Sequence, residues 1–414
     1  MMNSSLALVL SRGLNSVFNI IGFFIISKTL NLEDLGSLVF SLSLAGLLGI
    51  FVNLGLGDVL MNSLSIAKFK IGSILGSAIV LKIVGFILCI LIIYIINLSE
   101  NPTYQFVNII IGLSLLVEIF IAYESYFYFQ KKSSVIVIAN IASGFVGLLL
   151  KSVVVYCFMS IWMLALTYLL ESIIKSGVLY FNARTISLKI DSNYLKENLP
   201  KIGHVVLSGA SMVVIFKIDQ LMIRYLLTKP ELAVYSVAVK ITEIWIFICI
   251  ALSNYKFESI LKSYKYSFEL FECQIINLYK TVILISLIII SLIFIGSSAF
   301  VNLIFGDKFS ESIPILYIYI ISLPFMFINN ASWKYFIPLN IQKFASIKLL
   351  VGAVINIILN FTLIPLLGLK GAAIATVITM VYVSIFGNLL FTKTKRNFSL
   401  ILKSIKNIYR VNQK

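Results

Sequence analysis

Twelve apolar runs follow one another along this 414-residue chain with only short polar breaks between them. Each approaches the ~20 residues a helix needs to cross a hydrocarbon layer. They fall at 4–28, 35–62, 73–97, 104–128, 135–157, 160–182, 202–227, 232–254, 280–304, 312–334, 344–366 and 371–392. The chain is 60% hydrophobic and only 12% charged, where a soluble domain carries about 25% charged residues. No water-soluble core could bury that much apolar chain. Tyr94, Tyr104, Tyr156, Trp162, Tyr225 and Trp333 lie near run ends, as an interfacial aromatic belt requires. Runs of this length exclude the ten-residue alternating strands of an outer-membrane barrel. The expected fold is an all-α integral membrane protein of about twelve transmembrane helices.

The 33 lysines and arginines are sorted by this pattern. Alternate connecting segments hold twenty-one of them, including Lys68, Lys131, Arg184, Lys256, Lys348 and Lys403, whereas the opposite segments hold only Lys28, Lys229, Lys308 and Lys370. The positive-inside rule then puts both termini in the cytoplasm. The formal charge of +16 becomes mostly a cytoplasmic surface facing anionic lipid. Nucleic-acid binding is excluded for want of a soluble domain to carry a basic patch. No basic residue precedes the first run and no small-residue cleavage site follows it, so that run is read as a retained span. Cys89, Cys157, Cys249 and Cys273 show neither a disulfide framework nor metal spacing.

The polar stretch around 182–201 divides the chain into six spans plus six. An N-terminal lobe (1–182), an inter-lobe linker (183–201), a C-terminal lobe (202–392) and a basic amphipathic tail (393–414) are expected. Residues 27–44 align without gaps on 224–241. In that alignment Asn31 with Asp34, and Thr228 with Glu231, have the spacing of a capping box. Pro230 suits the first turn of the following helix. Both turns fall on the same side, so the halves read as a parallel repeat. Residues 255–279 predict a short interfacial helix. In the tail Phe398, Ile401, Ile405 and Ile408 share a face opposite Lys403, Lys406 and Arg410, a pattern that lies on anionic membranes.

Eight basic residues remain inside the runs: Arg12, Lys82, Lys151, Lys175, Lys217, Arg224, Lys240 and Lys334. Each would cost about 2.5–3.5 kcal/mol at a lipid-facing helix centre, so they cannot all face lipid. Glu171 with Lys175 and Lys240 with Glu243 have the spacing of local ion pairs, and Lys334 can snorkel from a span end. Lys217, Gln220 and Arg224 share a face of the seventh span, with Asp219 rotated away. Arg12, Asn15, Ser16 and Asn19 make a comparable stripe on the first. Lys82 and Lys151 have no acid at helical spacing. Two such stripes on the leading helices of two halves predict a cationic, water-filled cavity, unless Glu118, Glu124 or Asp219 absorb the charges from other helices. Asp58, Glu118, Glu124, Glu171, Asp219 and Glu243 are the acids within the runs. They are fewer than the bases, which favours an anionic passenger.

Pro324 predicts a kink in the tenth span, and Asn356 with Asn360 predicts hydrogen-bonded packing between helices. His204 reads as structural. No phosphate-binding loop, nucleophile–base constellation or metal cluster occurs in the sequence, so an enzyme is not expected and neither cofactor nor metal is called for.

RGLNSVFNIIGFFIISKTLNLEDLGSLVFSLSL followed by NLGLG resembles the opening spans of the polysaccharide-transporter branch of the multidrug/oligosaccharidyl-lipid/polysaccharide (MOP) flippase superfamily. KIDQLMIRYLLTKPELAVYSVAVKI, IFGDKFSESIPILYIYIIS and NIILNFTLIPLLGLKGAAIAT resemble its later spans in the same order. The chain is similar to Wzx-type O-antigen or capsule-unit flippases. That resemblance implies a MATE-like pair of six-helix lobes facing a central cavity in the bacterial cytoplasmic membrane. It implies undecaprenyl-pyrophosphate-linked oligosaccharide as cargo, with membrane lipids, a polysaccharide polymerase and chain-length machinery as partners. Arg12, Lys217 and Arg224 are then the cavity cations, supported by Asn15, Asn19, Gln220, Lys82 and Lys151. Asp219 and Glu118 are the candidate coupling acids. A multidrug or metabolite exporter of the same superfamily would favour a more acidic cavity. A peptidoglycan-precursor flippase would differ mainly in cargo, and a membrane scaffold would need no buried bases.

Overall fold

The computed structural model describes residues 4–66 and 68–411, which form seventeen α-helices and no strand among the described residues. The first half comprises α1 (Ser4–Thr29), α2 (Leu32–Asn53), α3 (Leu56–Ile66), α4 (Ile71–Asn97), α5 (Pro102–Val117), α6 (Ala122–Phe129), α7 (Ser133–Cys157), α8 (Ile161–Ala183) and α9 (Ser192–Leu226). The second comprises α10 (Lys229–Glu243), α11 (Ile246–Tyr266), α12 (Phe268–Ile304), α13 (Ser312–Tyr319), α14 (Leu323–Phe336), α15 (Gln342–Leu367), α16 (Leu369–Ser384) and α17 (Thr392–Val411). Eleven segments among the described residues are long and apolar enough to span a membrane. The remaining expected span, 202–227, lies on α9, where the side chains of 200–205 fall outside the described residues; His204 is among them.

The helices are inside-out relative to a soluble bundle. On α4, Val84, Ile87, Leu88, Leu91 and Ile95 are exposed, whereas Lys82 and Asn97 on the same helix are buried. Leu287, Ile288, Leu292 and Ile295 of α12 repeat the pattern. Contiguous apolar surface of this kind is a lipid or protein contact, and here it runs along whole helices.

The chain divides into two compact units, Met1–Val213 and Val214–Lys414, with the boundary inside α9. Within the first unit, α2 packs on α4 and α5, α5 on α8, and α7 on α8. Within the second, α11 packs on α12, α10 on α13, α13 on α16, and α15 on α16. The same partnerships between second and third, second and fourth, fourth and sixth, and fifth and sixth spans therefore recur, as expected of a repeat. Both capped turns are present. The Asn31 side chain accepts from the Asp34 N–H at 2.7 Å and Thr228 Oγ1 from the Glu231 N–H at 3.3 Å. Pro230 sits in the first turn of α10.

Several spans are broken. The second ends at Asn53 because Leu54 and Gly55 turn left-handed, with φ of 49° and 55°. The fourth and tenth are interrupted by 3-10 turns at Glu118–Ile121 and Ile320–Ser322. Pro324 follows the second of these in the first turn of α14, so the expected kink is a helix restart, where a missing N–H costs nothing.

Two polar segments differ from expectation. Residues 255–279 form no separate interfacial helix: α11 and α12 run on through them and meet at Ser267, whose side chain caps α12. The linker is a strap pressed on α4, with the Lys189 N–H donating to the Gly72 carbonyl at 3.1 Å. A Cβ at Gly72 or Gly76 would collide with the backbone of Ser187 or Lys189, so only glycine admits the strap.

Candidate functional site

In the first unit, α1 is the element that carries polar groups inward. Its Arg12, Asn15, Ser16 and Asn19 line a cavity of about 640 Å³ together with Asn53, Glu118, Glu171 and Lys175. A second cavity of about 470 Å³ shares Arg12 and Asn53 and adds Lys82, Glu124 and Tyr128. Among the described residues this region gathers four cations (Arg12, Lys82, Lys151, Lys175) and three carboxylates (Glu118, Glu124, Glu171).

These charges fall into two kinds. Lys151 on α7 is 1% exposed and forms an ion pair with Glu171 of α8 at 2.8 Å. Its ammonium also donates to Asn19 Oδ1 at 2.8 Å and lies 4.1 Å from the centre of the Tyr168 ring. Asn19 in turn donates to Glu171 at 3.0 Å and to Asn15 at 2.8 Å, and Asn15 donates to the Asn140 carbonyl at 2.7 Å. The result is a closed network fastening α1 to α7 and α8. In low dielectric such pairs require all their hydrogen bonds to be made, and here Lys151 has three partners.

Arg12 is different. Its guanidinium meets Glu124 at 3.3 Å, but the Arg12 side chain is 58% exposed and that of Glu124 only 12%. Lys175 reaches the same carboxylate at 3.0 Å. Two cations thus share one partly buried anion at the cavity wall, leaving one positive charge over and most of the arginine's N–H donors facing open space. The Tyr128 ring lies 5.8 Å from the guanidinium carbon and supports it from the side. At the broken end of α2, Asn53 Oδ1 accepts from Lys82 at 2.9 Å. Lys82 and Lys175 also act electrostatically on Glu118, with Asn53 beside it.

The second unit holds the other predicted residues. Asp219 is fully buried, accepting from Tyr235 Oη at 2.5 Å, from the Gln220 N–H at 2.7 Å and from Thr376 Oγ1 at 3.4 Å. Gln220 is buried, Lys217 lies 3.8 Å from Glu243, and Arg224 is half-buried beside the Tyr225 ring. Asn356 donates to Thr379 at 3.0 Å and Asn360 to the Asn356 carbonyl at 2.9 Å, the packing role expected of them.

The ion pairs correct the sequence pairing. Glu171, with the spacing to take Lys175, takes Lys151, and Lys175 takes Glu124; Glu243 also has Lys217 at 3.8 Å. Lys151, without an acid at helical spacing on its own helix, has Glu171 from a neighbouring one. Lys348, grouped with the flanking bases, is buried and donates to Asn388 at 3.2 Å. Asn53 and Tyr168 were missed. The NLGLG sequence around Asn53, turn residues inside an apolar run, was the available signal for the first.

The fold is shared with multi-pass transporters of the MOP superfamily. An inward-facing multidrug resistance MATE family transporter of that superfamily matches with a TM-score of 0.76 at 14% identity, over 96% of this chain and 99% of the other. The lipid II flippase MurJ, in an inward closed conformation, matches at 0.73 and 16% identity, over 100% and 93%. A eukaryotic MATE transporter matches at 0.63 and 14%, over 96% of each chain. No curated protein matches this sequence. Residues 1–254 match the polysaccharide biosynthesis protein family, and the chain belongs to it.

Proposed function

We propose that this protein is a Wzx-type flippase of the bacterial cytoplasmic membrane. In this reading it moves an undecaprenyl-pyrophosphate-linked oligosaccharide from the cytoplasmic to the outer leaflet by alternating access. Family membership supplies the polysaccharide context, and one observation carries the reading of the site: Arg12 and Lys175 share the single carboxylate of Glu124 while the Arg12 guanidinium stays open. A guanidinium offers five N–H donors in a planar fork that matches phosphate oxygens in pairs. An entering pyrophosphate replaces Glu124 as the partner of Arg12 and Lys175. When the cargo leaves, both bases return to Glu124, so neither is left without an anionic partner and the cargo is not trapped. Ser16 on the cavity wall offers a neutral oxygen for sugar hydroxyls, Asn15 and Asn19 being engaged in the network that fastens α1, and the polyprenyl tail stays in lipid.

Lys151 acts here as a fastener and not as a cargo contact. Lys217, Gln220 and Arg224 belong to the second unit, and their contact with cargo is inferred from the sequence alone. Glu118 lines the cavity and Asp219 does not, which favours Glu118 as the coupling acid. Arg12→Ala, Lys175→Ala, Lys217→Ala and Arg224→Ala are each tested in a flippase-null host for surface polysaccharide at matched membrane levels. Loss of display in the Arg12 and Lys175 variants is expected. Full display in both removes the pyrophosphate contact from the proposal.

A further inference from the structure

The sequence predicts that α17 lays the face of Phe398, Ile401, Ile405 and Ile408 on lipid, but Ile401 and the side adjoining it are already occupied. Thr394, Asn397, Leu400, Ile401 and Ser404 are buried. Asn397 accepts from Tyr279 Oη of α12 at 2.5 Å and donates to Asn388 at 3.2 Å and to Ser332 of α14 at 3.3 Å. Arg396 forms a two-pronged ion pair with Glu272 of α12. The helix is fastened to the C-terminal unit along one side.

Its other side carries a cluster of lysines and no acid. Lys395, Lys403 and Lys406 are exposed and fall within about 80° of one another at 3.6 residues per turn. No Asp or Glu occurs anywhere in 392–411, and Leu402 is exposed among the lysines. The position of this face follows from α12. Its 37 residues extend about 55 Å, well beyond a hydrocarbon layer of about 30 Å. Residues 281–304 carry no charge, whereas 268–280 hold Glu269, Glu272 and Lys280. The polar end therefore projects past the hydrocarbon, and α17 binds to that end through Glu272 and Tyr279.

We propose that the exposed face of α17 is a docking surface for the headgroups of anionic phospholipids. The occupant is set by charge complementarity. Three lysines with no competing acid on the helix, held at hydrocarbon-boundary height by a docked opposite face, meet lipid phosphates before any soluble partner. Each such residue near an anionic surface contributes about 1 kcal/mol. The proposal is independent of the cargo.

The test uses the full chain carrying Cys157→Ser, Cys273→Ser and Leu402→Cys, labelled with an environment-sensitive fluorophore at residue 402. Cys89 and Cys249 are buried. The protein is reconstituted into vesicles of phosphatidylcholine, or of phosphatidylcholine with phosphatidylglycerol, each with the same fraction of headgroup-level nitroxide lipid. Quenching is expected to be clearly stronger in the phosphatidylglycerol vesicles. The difference should vanish at high salt and in the K395Q/K403Q/K406Q variant, with thermal unfolding in detergent unchanged. Equal quenching in both vesicles, or a lipid dependence that survives the triple substitution, overturns the proposal.

Discussion

Burial divides the cations of the N-terminal cavity by task. Lys151 has an acid, an amide oxygen and an aromatic ring around it, so its charge is used up holding α7 to α8 and α1. Removing one member of a buried pair strands the other, at about 3–5 kcal/mol. Lys151→Met is therefore expected to lower the thermal stability of the detergent-solubilised protein sharply, and Lys151→Met with Glu171→Leu to recover most of it. An unaffected single variant would mean the pair is not structural. Arg12→Gln is expected to leave stability within about 1 kcal/mol, because an exposed ion pair contributes no more than that, while lowering transport. Glu118→Gln fixes the proposed coupling acid in its neutral form, so the flipping rate should lose its pH dependence; a retained dependence shifts the role to Asp219. The sequence offered Glu124 as an acid that could absorb such charges from another helix, and it does so, but not which base each acid takes. Helical spacing reveals partners on one helix, and Glu171, Glu124 and Asn53 each come from another.

Helices were legible where length and turn chemistry decide them. Run lengths gave the spans, and the oxygen-bearing residues at Asn31 and Thr228 marked two helix starts that are capped as expected. Asn31→Ala and Thr228→Ala should each cost about 1 kcal/mol, and their effects should add because the sites share no partner. A sum far from additive in unfolding measurements would join the two turns energetically. Interruptions were less legible. Pro324 signalled a break, but nothing local signals the 3-10 turn at Glu118–Ile121, which lacks both proline and glycine. Since Pro324 stands in the first turn of α14, Pro324→Ala should change stability by under ~1 kcal/mol. A gain near the ~3 kcal/mol of a mid-helix proline would show that the span is strained there. The tail helix illustrates the limit of periodicity: of the apolar face it marks on α17 only Ile401 is buried, and the buried side is the adjoining one that carries Thr394, Asn397 and Ser404.

For the molecule as a whole, an all-helical membrane fold of two repeating halves, with eleven of the twelve expected spans among the described residues, was written in the hydropathy. Cargo was not, because the excess of bases over acids becomes informative only once the paired ones are set aside. What then remains at the N-terminal cavity is an open arginine and a lysine leaning on one carboxylate. The most direct measurement is the affinity of the purified protein for undecaprenyl pyrophosphate, by titration in lipid nanodiscs. Charge-assisted hydrogen bonds of about 1.5–3 kcal/mol predict binding weakened by about tenfold or more in Arg12→Gln/Lys175→Gln, and unchanged in Lys151→Met/Glu171→Leu. Equal affinity in the wild type and the Arg12→Gln/Lys175→Gln variant would contradict the assignment of this cavity to a pyrophosphate.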